Sequence, residues 1–283
     1  MTTWRLLTTT WNWDPSVLLG CAALLAGYAL FIHPRHRAQD LSFASGVFVL
    51  LIALESPLDL LGDEYLFSAH MLQHLLLILV VPPLILLGVR DELLRQSAGH
   101  PWLGQWERSL SYPILAWLFG EFTLWIWHLP ILYDATLVNE NVHVVEHLLF
   151  LVTATIFWWP IIRNPKEGRL SPEGAIFYLM AGGFANTLLG ILVAFSPGIL
   201  YSPYLNPPDS LGIASLIRNS WGLSAGDDQQ IAGLMMWIPG SFAYLLATLF
   251  EFIRLADSEK DEERRAAELE KRRAQGLALK EHS

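Results

Sequence analysis

The sequence predicts an all-α membrane protein: a bundle of seven transmembrane helices, with the N-terminus outside and the C-terminus in the cytoplasm. Three observations lead there. Of the 283 residues, 53% are hydrophobic and only 16% are charged, whereas a soluble domain carries about a quarter charged residues. Seven apolar runs approach the roughly 20 residues that cross a hydrocarbon core. Lys and Arg fall almost entirely on one side of those runs. Together these exclude a water-soluble enzyme and a disordered chain. The single cysteine, Cys21, excludes an intrachain disulfide, a zinc ribbon, a dithiol redox pair and a cysteine-ligated iron–sulfur cluster.

The runs follow in order as Ser16 to Ile32, Leu41 to Leu61, Leu66 to Val89, Tyr112 to Leu129, Val142 to Ile162, Gly174 to Phe195 and Ile231 to Leu255. Glu55 and Pro57 make the far end of the second irregular. The first is expected to be a retained helix, because its positive residues, Arg35 and Arg37, follow the apolar run, whereas a cleavable signal has them in front. Segments 33–40, 90–111 and 163–173 and the tail from Arg254 carry nearly all the Lys and Arg, leaving only Arg5 and Arg218 on the other side. The positive-inside rule then sets the N-out, C-in orientation. The expected outside loops carry acids in place of bases: Asp59, Asp63 and Glu64 in one, Asp134 and Glu140 in the next. The last of them, 196–230, is rich in Pro and Gly, which predicts irregular structure with a short interfacial helix near Leu211 to Trp221. Residues 1–256 form the membrane domain. Residues 257–283, rich in Glu, Arg, Lys and Ala, form a solvated cytoplasmic helix. The expected setting is the bacterial inner membrane, with the lipid bilayer as solvent and no nucleic-acid partner.

The chemistry lies in the histidines. Of nine, His33, His36, His100 and His282 fall in expected inside segments or the tail. The other five converge when folded into this topology. His70 and His74 lie in the outer half of the third span, His128 at the outer end of the fourth, and His143 and His147 in the first turns of the fifth. Each i,i+4 pair projects from one helical face. An imidazole inside an apolar span is costly unless it is paired, lines a wet cavity or binds something. Two pairs and a fifth histidine at one depth point to a metal or haem site, against polar contacts between helices or a proton path. Imidazole suits copper, zinc, iron or nickel, and thioethers select Cu(I), so Met71, Met235 and Met236 bear on the choice. Two facing histidines could also be axial ligands of a haem b. Glu146, beside His147, is a candidate orienting group. Glu121, seven residues before His128, is a candidate proton acceptor or interhelical hydrogen-bond partner. Asn186 among Gly182, Gly183 and Gly190 reads as an interhelical contact at a close approach. Asp228 stands where the seventh helix begins, as a cap or as a contributor to the outer site.

Three stretches, FSAHMLQHLLLILVVPPLILLG (67–88), HVVEHLLFLVTATIFWWP (143–160) and DDQQIAGLMMWIPG (227–240), resemble the CtaG family of polytopic membrane proteins, which is associated with assembly of caa-type cytochrome c oxidases. The resemblance runs from about residue 15 to 255 and omits the tail. It is unlike the single-span, cysteine-containing copper chaperone that shares the family's name. It implies a non-enzymatic assembly factor that helps a terminal oxidase acquire copper, with oxidase subunits and extracytoplasmic copper chaperones as partners. His70, His74, His143 and His147 match the family's motif positions, Met236 and Trp237 fit its seventh-helix pattern, and His128 rests on the topology alone. The alternatives are a haem-binding redox protein using the same histidines, a copper or proton transporter with Glu121 on the path, and a scaffold without metal.

Overall fold

The computed structural model describes residues 3–31, 36–89, 112–162 and 170–281. Among these residues every regular element is helical. In chain order they are α1 (Thr3–Thr9), α2 (Pro15–Phe31), α3 (Arg37–Glu55), α4 (Pro57–Leu60), α5 (Phe67–Gly88), α6 (Pro113–Trp127), α7 (Pro130–Val138), α8 (Glu140–Ile162), α9 (Pro172–Ala194) and α10 (Ala225–Glu281). Five of them, α3, α5, α8, α9 and α10, are long and apolar enough to cross a bilayer. A sixth crossing results if α6 and α7 count together, although they bend by 72°. The apolar α2 is 17 residues long, just short of a full span. The chain is a multi-pass membrane protein. Arg35, Arg90, Arg95, Arg108, Arg163, Lys166 and Arg169, on which the charge argument draws, lie outside the described residues, as do His33, His100 and His282.

The departures from the expected spans each have a local cause. The fourth span was expected to continue to Leu129, but α6 ends at Trp127. Pro130 biases the residue before it away from helical geometry, and Leu129 is extended at φ −66° and ψ 129°. The second span stops at Glu55, where Ser56 turns extended and its side chain caps the one-turn α4. In α5, Pro82 and Pro83 remove two backbone donors, and the helix widens into a π-helical turn at Leu76–Val80. The carbonyl of Ile78, which Pro82 cannot serve, accepts instead from Trp158 Nε1 of α8 at 3.0 Å. The last expected span and the expected tail helix are continuous in one 57-residue helix, α10. At 1.5 Å per residue it is about 85 Å long, so its charged second half extends beyond the roughly 30 Å hydrocarbon core.

Small residues set the tightest packing. A Cβ on Gly233 would sit 2.4 Å from the backbone nitrogen of Ala194, and one on Gly190 2.7 Å from that of Trp237. The helices α9 and α10 therefore touch backbone to backbone. Asn186 donates to the Met236 carbonyl at 2.8 Å, and the Thr187 and Ser241 hydroxyls lie 2.6 Å apart. The expected interhelical role of Asn186 among glycines is what the geometry provides. The loop between α9 and α10 is largely irregular, with short turns at Ser202–Leu205 and Leu216–Ser220. It covers the end of the bundle where α5, α8 and α10 begin.

Candidate metal centre

At that end, α5 and α8 place their histidine pairs face to face. The ring centroids of His70 and His74 are 4.2 Å apart, those of His143 and His147 4.0 Å, and those of His74 and His147 5.3 Å. Glu146 turns into the same space, with Oε2 3.6 Å from His70 Nε2 and 3.7 Å from His74 Nε2. On the other side of His70, Asp63 Oδ1 lies 3.7 Å from Nδ1 and 3.4 Å from His143 Nε2. Both nitrogens of His70, both of His74, the Nε2 atoms of His143 and His147, both oxygens of Glu146 and Oδ1 of Asp63 are buried without a hydrogen-bond partner.

These separations are informative. They exceed the 2.7–3.2 Å of ordinary hydrogen bonds, about 2.9 Å at the mode. They match the edge of a coordination shell, because a tetrahedral ion with bonds of about 2.0–2.1 Å keeps its ligand atoms about 3.3 Å apart. Two groups have ligand atoms that all lie within 4.8 Å of one another: His70, His74, Glu146 and His147, and Asp63, His70 and His143. Unpaired buried polar atoms cost about 1–3 kcal/mol each, and a cation held between these groups would supply the partners that the protein does not.

The surrounding residues hold the cluster in place. Asp228 does not cap its own helix; that role falls to Ser224, whose hydroxyl accepts from the Asp227 backbone nitrogen while Asp227 Oδ2 accepts from the Ser224 backbone nitrogen and hydroxyl. Asp228 reaches across to the start of α5 and accepts from the backbone nitrogens of Phe67 and Ser68 at 2.7 and 3.1 Å and from the Ser68 hydroxyl at 2.5 Å. It thus fixes the first turn of the helix that carries His70 and His74. The turn that carries Asp63, Leu61–Tyr65, presses against α5 because Gly62 has no side chain: a Cβ there would meet the His70 backbone at 2.9 Å. Tyr204 donates to the Gly62 carbonyl at 2.6 Å, the Tyr133 hydroxyl lies 3.0 Å from that of Tyr204, and Tyr201 donates to the His128 carbonyl at 3.0 Å. This tyrosine roof holds the turn down. Burial, followed by the carboxylates of Asp59, Glu140 and Glu146, pushes Asp63 up to about 9, and burial pushes Asp59 up to about 7.

His128 stands at the edge of the cluster, its ring 6.4 Å from that of His74. Its Nδ1 donates to the Leu124 carbonyl at 2.7 Å, which leaves the lone pair of Nε2 facing Met71 Sδ at 3.3 Å. Met71, Met236, His74 and His128 line one small cavity of about 20 Å³. Glu121 lies deeper, its Oε2 without a hydrogen-bond partner, above Gly182, where a Cβ would meet its Oε1 at 3.1 Å. Sequence reasoning placed Asp63 only as a loop acid and did not single out Tyr133, Tyr201 or Tyr204. Gly62, immediately before Asp63, is the one local sign that this turn packs closely. Two larger cavities approach the cluster. One of about 620 Å³ runs beside α2 and α8 and touches His143 and His147, with Asp14, Asp59 and Glu140 among its lining. The other, about 400 Å³, is lined by Asp63, Glu64 and the 203–210 stretch.

The chain is 24% identical over 252 residues to an uncharacterized protein of Mycobacterium bovis and, at the same level, to one of Mycobacterium tuberculosis, covering 81% of this chain in each case. An uncharacterized protein of Mycobacterium leprae is 23% identical over 254 residues. The chain spans little more than a third of the length of these relatives, 37% in each. No solved structure matches it. The family model described as cytochrome c oxidase caa3 assembly factor matches residues 23–258, which takes in every residue of the cluster. The chain therefore belongs to the cytochrome c oxidase caa3 assembly factor (CtaG) family.

Proposed function

We propose that this protein binds copper at the histidine cluster and supplies it to a caa-type cytochrome c oxidase during assembly. In this reading it is a carrier without turnover chemistry. It sits in the bacterial inner membrane as seven crossings, α2 included, with the cluster facing outward and the C-terminal helix in the cytoplasm. Oxidase subunits receive the ion and extracytoplasmic copper chaperones deliver it. The observation that carries the reading is the set of unpartnered imidazole nitrogens and carboxylate oxygens spaced as the edges of a coordination shell. The thioethers of Met71 and Met236 beside His74 and His128 favour copper over zinc. Haem is disfavoured among His70, His74, His143 and His147, whose ring centroids lie 4.0 to 5.9 Å apart; the His74–His128 pair is wider, at 6.4 Å.

The test is elemental analysis with an optical spectrum on detergent-purified protein, wild type against a His70→Ala/His74→Ala variant. The expected result is near-stoichiometric copper in the wild type, loss of that copper in the variant and no Soret band. A Soret band, or copper that persists in the variant, overturns the reading.

A further inference from the structure

His70 is the only residue common to the two ligand groups, and it faces them with different ring nitrogens. Its Nδ1 looks toward Asp63 and its Nε2 toward Glu146. The first group, Asp63, His70 and His143, has three ligands and one partly exposed member. The second, His70, His74, Glu146 and His147, has four, all buried. Asp63 also lines the cavity of about 400 Å³ at the end of the bundle, which the second group does not touch.

The geometry points to a two-station relay, in which copper is first captured by Asp63, His143 and His70 Nδ1 and then passes to His70 Nε2, His74, Glu146 and His147. This rests on the copper-binding function proposed above and adds the order in which the ligands act. The three-ligand station opens through its partly exposed Asp63, whereas the four-ligand station meets a larger cavity only at His147, so the first captures faster and the second holds more tightly. A neutral imidazole has one lone pair for a metal and one N–H, so His70 serves one station at a time. Passing the ion across the ring moves copper from Nδ1 to Nε2 and a proton from Nε2 to Nδ1, with no change in charge on the ring. The carboxylate in each station offsets part of the ion's charge where water is excluded.

Copper(I) presented as a coloured chelator complex gives the test, because its uptake by the full-length protein in detergent is read as loss of colour. The wild type is expected to bind one ion. Asp63→Asn/His143→Ala is expected to load at least about tenfold more slowly, the scale on which metal-site partners act. His74→Ala/His147→Ala is expected to capture copper as fast as the wild type and lose it to added chelator at least about tenfold faster. Thermal melting of each variant identifies any that fails to fold; Asp63→Asn alone, which keeps the side-chain volume, is then judged on the same loading rate. Loading at the wild-type rate without Asp63 and His143 overturns the relay and indicates access through the larger cavity beside His147. Two ions bound at once also overturn it. A wild type that binds copper but shows either result leaves the copper-binding function standing, whereas a wild type that binds none sinks that function and the relay with it.

Discussion

Along the α9–α10 seam, buried polar groups are matched to protein partners: Asn186 donates to the Met236 carbonyl and Thr187 pairs with Ser241. Where α5 meets α8, a larger set of buried polar atoms has no such partners. Both regions place polar side chains in an apolar bundle, where unsatisfied groups are costly. The seam uses its polar groups to fasten two helices. The histidine end spends scaffold contacts, the Asp228 cap and the tyrosine hydroxyls, on keeping its imidazoles and carboxylates aimed at an unshared space. Polar residues that bind helices together are thus told apart from the histidine cluster by whether the protein itself satisfies them.

The largest effect is expected at the seam. Gly233→Val puts a branched side chain where even a Cβ lies 2.4 Å from the Ala194 backbone. Neither backbone can yield without separating α9 from α10, so a loss above about 4 kcal/mol is expected, enough to abolish folded protein. Size-exclusion profiles and melting in detergent check this; a well-folded Gly233→Val protein would show that the seam is not close-packed.

A smaller effect, confined to the histidine end, is expected for Asp228→Ala. It leaves the Phe67 and Ser68 nitrogens without their acceptor, costing about 1–3 kcal/mol, and it loosens the first turn beneath His70. Copper affinity should fall about tenfold while the bundle persists. Equal affinity in variant and wild type would separate the cap from the site.

Much of this contrast was legible in the sequence. The i,i+4 spacing of His70 with His74 and of His143 with His147 fixes each pair on one helical face, and span order brings the faces to one depth. Asn186 among glycines reads as a helix contact for a similar local reason. The rest depends on tertiary placement. Asp63 joins the cluster because the Leu61–Tyr65 turn folds onto α5 at Gly62, and the tyrosine roof comes from Tyr133 in α7 and from a loop more than sixty residues farther along the chain. No periodicity reports such approaches. The 72° bend between α6 and α7 was foreshadowed by Pro130, yet an apolar run continuing to Leu129 conceals it. Asp228 looks like a cap from its position, and only the packed structure shows that the helix it caps is α5.

An effect that appears only with rising pH is expected at Asp59, whose carboxylate accepts from Gln73 Nε2 at 2.6 Å. Burial raises its pKa from 3.8 to about 7 in the folded protein. The folded state therefore binds more protons than the unfolded state between those values, and stability declines as pH rises through that window. Asp59→Asn keeps an acceptor for Gln73 and removes the titration. Its melting temperature should exceed that of the wild type by a few degrees at pH 8 and match it near pH 4. A constant difference across that range would place the effect elsewhere.

The most direct test of the central claim is the metal content of the oxidase itself. Caa-type oxidase would be purified from cells whose only copy of this protein is wild type or His74→Ala, and its copper and haem measured together. If the cluster supplies the ion, the enzyme from His74→Ala cells carries its haem, lacks copper and is inactive, and surplus copper in the medium restores it in part. An oxidase with full copper from those cells would contradict the claim.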